Sequence, residues 1–182
     1  KNDRTFCHGA NYGPDGRLWL AMNVGRRPRI ECYGERCWEL PAPWGARGIC
    51  FDPLSSQPYA LANSSNPKKQ SYAEVAVSIW TLNPDKDDWV PCARLERTHT
   101  DCGAIYKGRL WLNDQHGDRV LGLDLSRREK PILLQGEFSF PHGVAISPAG
   151  ILAVTNYGSS SISFIDLSSV PDLTVAAPAQ QA

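Results

Sequence analysis

The chain has 182 residues, 42% of them hydrophobic, which is enough to fill the core of one compact domain. Nineteen Lys and Arg residues balance nineteen Asp and Glu residues, and no window concentrates positive charge, so the sequence argues against a nucleic-acid partner. No apolar run approaches the roughly 20 residues needed to span a bilayer, and the start, without Met or a signal-like stretch, indicates a trimmed N-terminus.

Short β-branched and aromatic runs, separated by Gly, Pro, Asn and Asp, follow one another along the chain and predict strands rather than helices. They fall into four successive groups. The predicted strands of the first two groups lie at 7–12, 17–22, 28–33, 37–41, 47–51, 58–62, 75–82 and 88–94, with an enlarged polar loop at 63–71. Those of the last two groups lie at 101–106, 109–113, 119–125, 131–135, 142–147, 151–155, 161–167 and 172–176. The chain is therefore predicted to be all-β.

The groups are copies of one unit. Gly-Arg-Leu-Trp-Leu occurs at 16–20 and again at 108–112, and Gly-Ile-Leu-Ala-Val occupies the same place at 150–154. The first two glycines are 92 residues apart, which is twice 46, and the segment 51–63 supplies a degenerate copy between them. In a second repeated word, Asn83, Asp124 and Asp166 are 41 and 42 residues apart. A period of about 45 residues is typical of propeller blades.

These repeats predict a β-propeller of four four-stranded blades in a single domain, residues 1–182, with blades at about 5–43, 44–97, 98–138 and 139–178. Small residues in the first strand of each copy, such as Gly9 and Gly48, would let neighbouring blades approach closely at the axis. Two alternatives stay open. The four blades close a ring alone, or they form part of a larger ring, and in the second case exposed edges would favour an oligomer.

The segment Phe-Pro-His-Gly-Val-Ala-Ile-Ser-Pro-Ala-Gly at 140–150, followed by Val-Thr-Asn-Tyr-Gly at 154–158, resembles a blade of the NHL-repeat and gluconolactonase-like (strictosidine-synthase-like) propellers. The resemblance extends over all four copies and is strongest in the last. It implies a propeller, usually with six blades, and leaves the function open, because the superfamily contains lactonases, amidating lyases and interaction modules. The gluconolactonase metal set is not matched, since His142 and Asn156 stand where that family has Asn and Asp.

Polar side chains occupy one repeat position at the start of the first strands, where the strands of a propeller converge on the mouth of its central channel. These residues are His8, Arg47, Asp101 and His142, with His99 close by. We predict that Arg47, Asp101, Trp44 and Asn156 bind a ligand, with Trp44 as an exposed platform between the first two copies. The predicted function is a binding module for a small polar or anionic ligand, a glycan or a protein.

The alternative is a metal-dependent hydrolase or lyase. Imidazoles of His8, His99 and His142, converging from different blades, would suit zinc or another divalent cation that activates water. This arrangement resembles the amidating lyases, whose inner strands also carry Pro-His motifs. The structural alternative, which we favour, is that these side chains hydrogen-bond backbone groups of neighbouring blades and fix the ring geometry. Arg47 in the same ring would repel a cation. No complete catalytic set is present, so the sequence leaves enzymatic activity undecided.

Six cysteines, an even number, favour an oxidising compartment. Cys32 and Cys37 flank a turn between two predicted strands, where a disulfide and two free thiols fit equally well. Asn63-Ser64-Ser65 matches a glycosylation sequon. Together these features favour a secreted or periplasmic protein, with a cytoplasmic location as the alternative.

Overall fold

The computed structural model of the protein describes residues 6–23, 28–64, 74–127, 131–134 and 136–170. The strands of the first two sheets are β1 Cys7–Tyr12, β2 Leu18–Met22, β3 Arg29–Cys32, β4 Arg36–Glu39, β5 Trp44–Phe51, β6 Pro58–Ser64, β7 Ala76–Asn83 and β8 Asp88–Glu96. Those of the other two are β9 Gly103–Tyr106, β10 Arg109–Asp114, β11 Arg119–Asp124, β12 Ile132–Leu134, β13 Pro141–Ile146, β14 Ile151–Asn156 and β15 Ser161–Asp166. A 3-10 turn at Leu167–Ser169 follows β15.

Each run of consecutive strands forms one antiparallel meander. The sheets have the orders β1-β2-β3-β4, β5-β6-β7-β8, β9-β10-β11-β12 and β13-β14-β15, and we name them blades 1 to 4. The predicted all-β propeller with four blades is confirmed. The strand predicted at 172–176 and most of the loop predicted at 63–71 lie outside the described residues. Within the described ranges, no helix is long and apolar enough to cross a membrane.

The glycine at the start of the repeated five-residue segment is required by the local backbone conformation. Gly16, Gly108 and Gly150 occupy the turn between the first two strands of blades 1, 3 and 4, with φ angles of 78°, 72° and 85°. This left-handed region is open to glycine and strained for most other residues. The corresponding turn of blade 2 uses Ser56, with a φ of 61°. This replacement explains why the second copy is hard to recognise in the sequence.

Small residues in the first strands allow the blades to meet at the axis, as predicted. A Cβ atom placed on Gly9 would lie 2.5 Å from the backbone oxygen of Arg47 in blade 2. One placed on Gly48 would lie 2.8 Å from the backbone oxygen of Asp101, next to blade 3. Any side chain at these two positions would push neighbouring strands apart, so the glycines set the spacing of the channel.

Three hydrophobic clusters hold consecutive blades together. Trp19 of blade 1 packs with Trp80 and Trp89 of blade 2. Leu61 and Ile79 of blade 2, among others, pack with Leu110 and Leu112 of blade 3. Trp111 of blade 3 packs with Leu152 and Val154 of blade 4. Trp19 and Trp111 share a repeat position and are both buried between blades.

Buried asparagines join the blades near the channel. The Asn63 side chain of blade 2 donates to the backbone oxygen of Thr100 at 2.9 Å and accepts from its backbone nitrogen at 3.3 Å. Asn113 of blade 3 donates to the backbone oxygen of Pro141 in blade 4 at 2.8 Å and accepts from the Thr100 hydroxyl at 2.9 Å. These bonds fix where the first strands of blades 3 and 4 begin, and the first strands carry the predicted site.

Candidate ligand site at the channel mouth

Three predicted site residues lie at β-bulges of the first strands. The register with the second strand slips between Cys7 and Gly9, between Ala46 and Gly48, and between Pro141 and Gly143. The residue inside each slip is His8, Arg47 or His142. A bulge interrupts the alternation of side chains and re-aims the extra residue, here towards one end of the channel. Asp101 lies just before β9, at the matching point of blade 3.

The Asp101 carboxylate is the centre of this group. Its Oδ1 lies 3.4 Å from Nε2 of His8 and 3.7 Å from Nη1 of Arg47. Its Oδ2 lies 3.3 Å from Nε2 of His142. Side chains of all four blades therefore meet at one place. The convergence predicted for His8, Arg47, Asp101 and His142 is present in the structure.

Asp101 is buried but not fully hydrogen-bonded. Its side chain is only 9% exposed. Oδ2 accepts a short hydrogen bond from Nε2 of Gln115, whereas Oδ1 is buried and accepts none. The side chain of Arg47 is 22% exposed, that of His8 27% and that of His142 52%, so the group faces the outside through its histidines. A buried carboxylate oxygen without a donor is costly, and a ligand that supplies a donor would relieve this cost.

Arg47 supplies the fixed positive charge of the site. The side-chain amide of Asn23 is oriented with its oxygen towards Arg47. This oxygen accepts hydrogen bonds from Arg47 Nε at 3.2 Å and from Nη1 at 3.1 Å. Burial lowers the pKa of Arg47, and the nearby Asp101 carboxylate opposes that shift. The guanidinium is therefore anchored on one side by Asn23 and presents donors towards Asp101.

His99 is linked to Asp101 through the side chain of Gln115. Its Nδ1 is 2.6 Å from Oε1 of Gln115, the same amide that donates to Asp101. Burial lowers the pKa of His99, with smaller contributions in the same direction from Arg47 and His116, against the opposing effect of Asp101. His99 thus positions Gln115, and Gln115 positions the carboxylate.

Aromatic rings line the mouth on the side of blades 3 and 4. The centroids of His99 and His116 are 5.1 Å apart, those of His116 and Phe140 5.6 Å, and those of Phe140 and Tyr157 6.0 Å. The Tyr157 ring is 6.3 Å from that of His142 and is 76% exposed. We call His116, Phe140 and Tyr157 the aromatic rim. It gives the polar centre an adjoining flat surface.

Two other predicted ligand residues lie in different surroundings. Trp44 is half-buried rather than an exposed platform, because it packs on the blade 1–blade 2 cluster and the Arg94 guanidinium lies 5.3 Å from its ring. Asn156 is buried, and its amide bonds the backbone nitrogen of Ser139 at 3.3 Å and the hydroxyl of Ser163 at 2.8 Å. Both contacts lie within blade 4. A ligand role for Trp44 or Asn156 stays a prediction.

The predicted metal centre finds no support in the positions of the side chains. Among the described residues, no group of three or more His, Cys, Asp or Glu side chains is placed to hold a metal ion. His8 and His142 contact different oxygens of Asp101, and His99 is bonded to Gln115. Arg47 also points at the same carboxylate, and its charge would oppose a cation there.

The disulfide considered for Cys32 and Cys37 does not form, because of the strand register. Cys37 pairs with Glu31, and Cys32 pairs with Arg36. Cys37 therefore shares a face of the sheet with Glu31, and Cys32, the next residue after Glu31, points to the opposite face. Cys32 is buried against blade 2, whereas Cys37 is exposed. All six cysteines are free thiols. Asn63 of the sequon is buried and bonded to Thr100, so the sequon lends no support to secretion.

Sequence reasoning missed Gln115, Asn23 and the aromatic rim. Gln115 and Asn23 each follow the second strand of their blade. Gln115 contacts Asp101 at the first strand of its own blade, and Asn23 contacts Arg47 in the first strand of the next blade. Their shared repeat position could therefore have indicated that both belong to the site. The rim brings together loops of two blades. No spacing within one repeat indicates that Phe140 meets both His116 and Tyr157.

Comparisons with known proteins place the fold and leave the family open. No family model and no curated protein matches the chain. A solved structure of a protein of unknown function from Bacteroides caccae, determined at 1.35 Å resolution, is similar with a TM-score of 0.63 and 13% sequence identity. The match covers 91% of this chain and 58% of that one, so this chain spans somewhat more than half the length of that protein. At this identity the likeness supports the propeller-like fold alone.

Proposed function

We propose that the protein is a binding module that holds a small polyhydroxylated ligand, a mono- or disaccharide, at the channel mouth. The observation that carries the proposal is Asp101 Oδ1, which is buried at the convergence of four blades and accepts no hydrogen bond. Most buried polar atoms in proteins are satisfied, so an unsatisfied carboxylate oxygen at a channel mouth is typical of a binding group. A ligand hydroxyl would donate to it.

The neighbours of Asp101 can hydrogen-bond the oxygen atom of a ligand hydroxyl group. Nη1 of Arg47 lies 3.7 Å from Asp101 Oδ1 and is a donor, and the Nε2 atoms of His8 and His142 lie 3.4 and 3.3 Å from the carboxylate oxygens. A hydroxyl both donates and accepts, so one group can bridge Asp101 and one of these donors. A purely anionic ligand would gain from Arg47 but would be repelled by Asp101. Adjacent hydroxyls on one ring match this mixture of charges better.

The aromatic rim supports a ring-shaped ligand. Tyr157 is largely exposed, and its ring lies beside His142, which contacts Asp101. A sugar has polar hydroxyls around its edge and apolar C–H groups on its faces. An exposed Tyr offers a flat apolar body with a polar tip, so it can cover one such face while the edge meets Asp101.

Ligand-observed saturation-transfer NMR with a panel of neutral and acidic mono- and disaccharides tests this function. We expect at least one sugar to bind the wild type, and binding to fall by at least tenfold in Asp101→Asn, which keeps the shape but removes the charge. Tyr157→Ala should also weaken binding. Tyr33→Ala is the matched control, because Tyr33 is an exposed tyrosine beside the β3–β4 turn, at the opposite end of the strands from the mouth. No bound sugar, or equal binding by Asp101→Asn, would contradict the proposal.

A further inference from the structure

The outer face of blade 4 is an exposed apolar surface. Leu152 and Val154 of β14 are buried against blade 3, so the alternating residue Ala153 lies on the other face of the sheet. Ala153 pairs with Phe164, which is 70% exposed, and Thr155 pairs with Ile162, which is also exposed. The equivalent face of blade 3 carries Trp111, which is 2% exposed because blade 4 covers it. Within the described residues, blade 4 thus has the same kind of face without a cover.

Blade 1 has the opposite free face. Trp19 and Ala21 of β2 are buried in the cluster shared with blade 2. Leu18, Leu20 and Met22 alternate with them and lie half-exposed on the other side of the sheet. In blades 2, 3 and 4 the corresponding side meets the preceding blade. Blade 1 is therefore ready to receive a blade in front of it.

The two free faces do not cover each other. The three hydrophobic clusters of the described residues join blades 1 and 2, 2 and 3, and 3 and 4, and none joins blade 4 to blade 1. The surroundings of Gly143 also indicate that, among the described residues, blade 4 does not pack against blade 1 at the axis. A Cβ on Gly9 or Gly48 would strike the backbone of the next blade, whereas the three atoms nearest to a Cβ on Gly143 all belong to Thr155 of its own blade.

We propose that a second copy of this chain packs its blade 1 against the outer face of blade 4, head to tail. The two faces are the two kinds that pair at all three blade junctions, so the contact continues an interface that the molecule already uses three times. The formal net charge is zero near neutral pH, so no charge repulsion opposes association. A head-to-tail contact either closes into a ring or continues as a chain.

Size-exclusion chromatography with light scattering between 1 and 100 µM tests the association. We expect the wild type to exceed the monomer mass of 20.1 kDa, increasingly so at higher concentration. Phe164→Asp should be monomeric throughout with an unchanged circular dichroism spectrum. Leu54→Asp is the matched control, because Leu54 is an exposed apolar residue in the β5–β6 loop, and it should associate like the wild type. A wild-type monomer at 100 µM would overturn the proposal.

Mixing two variants tests the head-to-tail direction. Leu20→Asp spoils the blade 1 face, and Phe164→Asp spoils the blade 4 face. Each variant alone should be monomeric, but an equimolar mixture keeps one intact face of each kind and should form a heterodimer. If Leu20→Asp alone still associates like the wild type while Phe164→Asp does not, blade 4 packs on blade 4 and the head-to-tail proposal is wrong. Sugar binding does not enter either readout, so this result is separate from that of the ligand experiment.

Discussion

The blade junctions and the channel mouth both contain buried polar side chains, but they differ in whether those side chains are fully hydrogen-bonded. At the junction of blades 3 and 4, Asn113 is fully buried and bonds the backbone oxygen of Pro141, the hydroxyl of Thr100 and the backbone nitrogen of Cys102. At the mouth, Asp101 is nearly as buried, yet its Oδ1 accepts no hydrogen bond. The junction is complete in the protein alone. We propose that a bound ligand supplies the missing donor at the mouth.

This difference separates stability from function within one repeat. A satisfied buried amide fixes the position of a neighbouring strand and contributes to the free energy of unfolding. A buried carboxylate oxygen without a donor costs free energy instead, so we expect its replacement to change stability little. Substitutions at the two places should therefore change different measured quantities.

The largest effect on stability is expected from Asn113→Ala. The substitution leaves the backbone oxygen of Pro141 and the backbone nitrogen of Cys102 without their partner inside the protein. Each buried unsatisfied group costs about 1–3 kcal/mol, so we expect a loss of about 3 kcal/mol in the free energy of unfolding, measured by urea denaturation. A loss below about 1 kcal/mol would show that water reaches this junction.

Asp101→Asn should change sugar binding strongly and the free energy of unfolding little. The asparagine still accepts from Gln115, and the attraction lost towards Arg47 is offset by removing an unsatisfied anion. We expect the free energy of unfolding to stay within about 1 kcal/mol of the wild type, while sugar binding falls by at least tenfold. If this variant is as unstable as Asn113→Ala, Asp101 holds the ring together and the contrast between the two regions fails.

A pH effect should follow from His99. Burial lowers its pKa in the folded protein below the ordinary value near 6.5, so the unfolded chain binds a proton more readily than the folded one. The associated stability is complete above about pH 6.5 and is lost as the pH falls from there through the folded-state pKa. Thermal melts from pH 7.5 to pH 5 should therefore show a steeper fall for the wild type than for His99→Gln. Parallel curves would contradict the assignment.

The smallest effect concerns thiol labelling. Burial raises the pKa of Cys50 strongly and that of Cys102 to about 11. Cys7 and Cys37 are exposed. With a thiol reagent at pH 8, we expect Cys7 and Cys37 to be labelled first, Cys102 slowly and faster as the pH rises, and Cys50 only after unfolding. Mass spectrometry of labelled peptides gives the order, and early labelling of Cys50 would contradict the packing of blades 2 and 3.

The fold could be predicted from the sequence because each blade repeats its own local signals. The turn glycines Gly16, Gly108 and Gly150 share a left-handed conformation, and this common requirement produces the repeated word. The convergence of His8, Arg47, Asp101 and His142 followed from their shared position in the repeat. These are properties that one repeat fixes by itself.

The rest depends on contacts between repeats. The partner of Cys32 is set by a register that places it opposite Arg36 rather than Cys37, and the sequence does not specify the register of that hairpin. The burial of Asn156 and the half-burial of Trp44 come from packing on other strands. Among the described residues, no hydrophobic cluster joins blades 4 and 1, and the sequence does not specify this, since Phe164 and Trp111 are both apolar residues in strands.

A crystal structure of the protein with a bound sugar from the NMR panel tests the central claim most directly. We expect a ring hydroxyl within about 3 Å of Asp101 Oδ1, with the sugar face against Tyr157. A sugar bound instead in the cavity of about 680 Å³ lined by Trp19 and Trp38 between blades 1 and 2, with the mouth unchanged, would contradict it.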